Sequence, residues 1–133
     1  MKTVEFTYGP VTLNLYMNGN AMFAIRDLDD GLPEDQPDAI ERMKGNTADG
    51  FTLVCKIAHI LATQGELCRR YLQYSPRRVP DAGEMLLLLS PVQILQLRLA
   101  LFQAINDGYA NDEVKDGGDI DTGLAELEKK TNL

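Results

Sequence analysis

The chain has no tryptophan, one histidine and two cysteines among its 133 residues. Each scarcity removes a class of chemistry. A disulfide scaffold needs more cysteines and a secreted setting, and Cys55 and Cys68 both fall on apolar helical stretches, so they read as reduced core thiols. A structural zinc site asks for four ligands, usually in paired close spacings; Cys55, His59 and Cys68 supply neither the number nor the spacing. Cys55 and His59 stand four apart, on one helix face, where a thiolate–imidazole pair is conceivable. A histidine at the edge of a packed helix is the plainer reading. Basic residues are also short: 13 against 20 acids, for a net charge of −7. Nucleic-acid backbones and anionic membranes both require a basic face, so neither is an expected partner. The longest apolar run, MLLLL at 85–89, falls far below the roughly 20 residues of a membrane span. The opening MKTVEFTYGPVTL lacks the apolar stretch of a signal peptide, and the expected location is cytoplasmic. Calcium loops fail as well. After Asp27-Leu28-Asp29-Asp30 the glycine comes one place early and no glutamate holds the twelfth position; in 112–123, Val114 occupies a ligand place. Gly117-Gly118 stands among acids that repel phosphate. No catalytic, cofactor-binding or metal-binding residue is assigned, and the chain is expected not to be an enzyme.

What remains is patterning. Val4, Phe6 and Tyr8 alternate with polar residues, as do Val11, Leu13, Leu15 and Met17 with theirs, and Gly9-Pro10 lies between. That is a β-hairpin. An isolated hairpin is marginal in water, so its apolar face must lie on helices. Asn18-Gly19-Asn20 is ambiguous: a hairpin turn would make AMFAIRDL a third strand, whereas Asn20 as a cap starts a helix at Ala21. Ala, Met, Arg and Leu favour the helix. Residues 29–50 are polar, acidic and broken by proline and glycine, with a short helix expected around 37–44. Residues 48–62 carry a broad apolar stripe (Phe51, Val54, Ala58, Leu61, widened by Leu53, Ile57 and Ile60), the mark of a central helix. Thr63-Gln64-Gly65-Glu66 has capping-box spacing and predicts a new helix to about Tyr74, burying Leu67 and Tyr71, with Arg69 and Arg70 on its other side. A short helix at 82–89 follows. Ser90, Pro91 and Gln93 then agree on a helix start, with Gly108 as its stop. Along it Ile94, Leu97, Leu101 and Ala104 form one stripe, and Leu95, Leu99, Phe102 and Ile105 widen it.

Beyond Gly108 the composition turns polar and acidic, and residues 107–133 hold eight acids against three bases. The expected organisation is a mainly α (α+β) domain over 1–108, an N-terminal hairpin on a small helical bundle. A flexible acidic linker and short C-terminal helix follow over 109–133. Leu124 and Leu127 are that helix's apolar anchors without a core role. Arg69-Arg70 and Arg77-Arg78 are the one basic concentration, able to pair with the acidic 27–41 stretch or with a neighbouring copy's tail; ordinary surface ion pairs are the simpler alternative.

Taken in order, LYMNGNAMFAIRDL, DGFTLVCKIAHILATQGELCRRYLQY, SPVQILQLRLALFQAINDGY and DIDTGLAELEKKTNL resemble the tail assembly chaperones of long-tailed bacteriophages and prophages. The resemblance rests on order, size and texture over nearly the whole chain, since that family has no catalytic motif. It implies a non-catalytic, mainly helical protein that binds the tape-measure protein and keeps it soluble in the bacterial cytoplasm during tail morphogenesis. Tail-tube protein is a possible further partner, and self-association is another possibility. Leu124, Leu127, Arg69 and Arg70 would be the partner-binding residues. A structural head–tail connector or tail-completion protein is the alternative.

Overall fold

In the computed structural model residues 2–110 are described, and every structural statement below concerns them. They are mostly helical, with a two-stranded antiparallel hairpin at the N-terminus. Strand β1 (Val4–Tyr8) pairs with β2 (Val11–Leu15), Val4 opposite Leu15 and Tyr8 opposite Val11. The turn at Gly9-Pro10 puts Gly9 at φ +55, backbone that glycine adopts without a steric cost. Leu13 and Leu15 are buried, so the alternation turned one face inward.

After the hairpin comes α1 (Gly19–Asp27), a helix and not a third strand. Its cap is Asn18, two residues earlier than Asn20: the Asn18 side chain accepts from the Ala21 N–H at 2.9 Å. Asn18 and Asn20 both donate to Gln64, at 3.1 and 3.3 Å, which ties the helix entry to the middle of the fold. A single turn, α2 (Ala39–Arg42), is capped by Asp38 and buries Ala39. Asp29 accepts from the Ala39 N–H and faces Arg42 at 3.6 Å, so part of the acidic stretch holds this turn in place.

The axis of the molecule is α3 (Ala48–Tyr71), one unbroken helix of 24 residues capped by Thr47. No new helix starts at Thr63, as the capping-box spacing had predicted. Gly65 marks a close approach and not a break: a Cβ there would run into the Asn14 backbone of β2. The Tyr16 N–H donates to the Leu61 carbonyl at 3.1 Å beside it. Strand and helix meet backbone to backbone, which only glycine allows. The face expected to be buried past residue 63 is also corrected. Leu67 and Tyr71 are exposed, and Glu66 is buried in their stead.

Helix α4 (Ala82–Leu88) begins with a reciprocal capping box between Asp81 and Glu84. Helix α5 (Pro91–Ala110) opens the same way, with Ser90 and Gln93 exchanging hydrogen bonds at 2.9 and 3.2 Å. It does not stop at Gly108. That glycine lies within the helix because a side chain there would strike Met17, 2.6 Å from an ideal Cβ. Helix α3 packs against β2, α1, α2, α4 and α5, and α5 also covers β1. The core joins Leu13 and Leu15 to Val54, Ile57, Leu61, Met85, Leu97 and Leu101. Arg98 reaches from α5 to the carbonyls of Met43, Lys44 and Gly45, closing the α2 corner onto the bundle.

Candidate functional site

The one constellation with enzyme-like residue types is Cys55 and His59. Cys55 is wholly buried, and burial pushes its thiol up to about 11, far from the thiolate a nucleophile requires. His59 Nδ1 lies 2.9 Å from the Pro80 carbonyl oxygen. With Nδ1 donating, the ring pins the loop before α4 to the central helix. Cys68 is half-buried, nine residues further along α3. Among the described residues no group of three or more histidine, cysteine, aspartate or glutamate side chains is arranged to hold a metal ion.

The basic concentration is built around a buried acid that sequence reading passed over. Glu66 accepts from the Arg77 N–H at 2.6 Å, from Arg69 at 2.8 Å and from Arg70 at 2.9 Å. Burial works to raise its carboxyl. The Arg77 N–H and the Arg70 and Arg69 guanidiniums outweigh burial and hold it below the ordinary value. Arg69 also donates to the Ser75 carbonyl and Arg70 to the Arg77 carbonyl, so the two arginines fasten the loop after α3. Arg78 pairs with Glu84. None of the four pairs with the 27–41 stretch among the described residues; Arg69, Arg70 and Arg78 have local carboxylates, and Arg77 meets Glu66 through its backbone N–H. Arg70 remains half-exposed, whereas the Arg69 side chain is mostly enclosed. A signal was available in the sequence: Glu66 stands three and four residues before Arg69 and Arg70, the spacing of helical ion pairs.

The most extensive unexplained feature is apolar. The solvent side of helix α5 mixes polar and apolar residues: Gln96, Gln103 and Asn106 are exposed there, on the same face as Val92 and Leu99 by their spacing. Ile94, Leu97, Leu101, Ala104 and Ile105 are buried, as the stripe predicted. Leu99, expected to widen that buried stripe, is instead 71% exposed, and Leu95 is only half-covered. Val92 is 61% exposed, and Leu87 and Leu88 at the end of α4 are 81% and 62% exposed. Val92, Leu95 and Leu99 fall on one side of the helix by their spacing. The only charged residue between Pro91 and Asn106 is Arg98, whose guanidinium is turned to the α2 corner. The result is an uncharged α5 side in which Val92, Leu95 and Leu99 are interleaved with Gln96, Gln103 and Asn106, on a chain of net charge −7.

A second apolar feature lies at the other end of α5. Met17, Met22, Ile25, Ile40 and Tyr109 line a groove of ≈ 280 Å³, with Arg26, Asp29 and Asp38 at its rim. A neighbouring hollow of ≈ 190 Å³ shares Met17, Met22 and Tyr109. Of the four residues expected to bind partners, Arg69 and Arg70 lie together on α3, and Leu124 and Leu127 fall outside the described residues. No helix among the described residues is long and apolar enough to cross a membrane. No protein-family model, curated protein or solved structure matches the chain.

Proposed function

We propose that the protein is a non-catalytic assembly chaperone that holds an apolar helical client in solution, the client being the tape-measure protein of a phage tail. The exposed apolar residues Leu87 and Leu88 of α4 and Val92 and Leu99 of α5, with no charge beside them in sequence except Arg98, carry this reading. A long amphipathic helix needs an apolar strip of complementary shape, and anchors at spacings of three and four supply the contacts. Acidic charge elsewhere on the chain keeps such a complex from aggregating. The buried high-pKa thiol at Cys55 supports a holding role over a catalytic one. Arg70, half-exposed beside exposed Leu67 and Tyr71, offers a basic rim for a further contact.

Co-expression with a phage tape-measure protein tests the reading. Wild-type chain should raise the soluble fraction of that client, and L88D/L99D, altered only at exposed positions, should lose the effect while keeping its helical circular dichroism. A client equally soluble with the double variant rules out this face. Finding the protein in purified virions would replace the chaperone reading with that of a connector.

A further inference from the structure

We infer that the groove between α1 and the end of α5 is the docking site for the chain's own residues 119–133, folded back in cis. This inference is independent of the proposed client. Tyr109, which lines the groove, stands one residue before the last described position, so the described chain ends beside the groove. Five of its lining residues, Met17, Met22, Ile25, Ile40 and Tyr109, are apolar or aromatic, and through Met17 and Met22 it is adaptable in shape. Ile120, Leu124 and Leu127 stand four and three apart, the anchor spacing a groove takes from a helix. The ten chain steps from Ala110 to Ile120 can span up to ~33 Å, ample to double back along α1, whose nine residues extend about 13 Å. The charges agree as well. Arg26 at the rim lies over the Phe23 ring and has no carboxylate partner among the described residues, whereas Asp119 and Asp121 flank Ile120. The two acids at the rim are already committed: Asp29 to the Ala39 N–H and Arg42, and Asp38 to the cap of α2.

Hydrogen exchange read by mass spectrometry on the full chain tests this. L124D/L127D should speed exchange in α1 and the last turn of α5 about tenfold, the effect of losing a contact worth one decade in equilibrium constant, with α3 unchanged. R26E, an exposed change on the groove side, should speed exchange in residues 119–133. Identical exchange in α1 for wild type and L124D/L127D overturns the proposal. A wild-type protection that disappears on tenfold dilution also overturns it, since the occupant would then be the tail of a second copy.

Discussion

Single residues decide the acid sensitivity of this fold. Glu66 is buried, accepts three hydrogen bonds, and has its carboxyl held below the ordinary value. A carboxyl depressed in the folded state contributes stability that is fully present above its unfolded value, near ~4.3. That contribution is lost as pH falls through the lower folded value. E66Q should therefore cost about 2 kcal/mol at pH 7, in the range of hydrogen bonds to a charged group. Its urea-unfolding midpoint should converge on that of wild type as the pH is lowered past the folded value. A constant gap across the titration would show that the charge is not the stabilising element. Tyr8 gives a test of opposite sign. Its hydroxyl is buried without a hydrogen-bond partner among the described residues. Y8F removes that unmatched group and should raise the unfolding free energy by about 1 kcal/mol. The Cys55 thiol, pushed up to about 11 by burial, should react with a thiol reagent at pH 8 on the order of a hundredfold more slowly than an ordinary exposed thiol.

At the scale of elements, the helix starts and the hairpin were legible because their signals are local. Ser90-Pro91 and the alternation around Gly9-Pro10 each state a backbone geometry within a few residues. The helix start expected at Thr63–Glu66 and the stop expected at Gly108 both fail because the reason for each glycine, Gly65 and Gly108, is distant. Each admits another segment, Asn14 in one case and Met17 in the other, and nothing near either glycine in the sequence announces that neighbour. Leu99 differs: Gln96, Gln103 and Asn106 share its side of the helix and mark it as the solvent side, a signal its apolar character obscures. The groove at Met17, Met22 and Tyr109 is assembled from three separate elements and has no local signal. G65A puts a methyl group against strand backbone that cannot yield as a side chain does. It should cost about 3 kcal/mol, the upper end for overpacking, read as a lowered thermal midpoint. D81A removes one half of the α4 capping box and should cost only about 1 kcal/mol.

For the whole molecule, charge and apolarity occupy different places. The acids give the net −7, and none lies between Met85 and Asn106, the stretch that carries exposed Leu87, Leu88, Val92 and Leu99. Client capture through that face should therefore change less than about twofold between 50 and 500 mM salt, because screening acts on charges. A steep loss with salt would shift the binding to Arg70 and its neighbours. The meeting of β2 with α3 across Gly65 has a further consequence, for biosynthesis. The hairpin leaves the ribosome before the helices it packs on, and its landing site on α3 is some fifty residues away; β1 waits longer still, for α5. At translation rates of ~10 residues per second, the nascent strands spend about five seconds without the helix that covers them. Silent codon changes that slow elongation between residues 20 and 65 would lengthen that interval and should raise the share of newly made chain captured by ribosome-bound holdases.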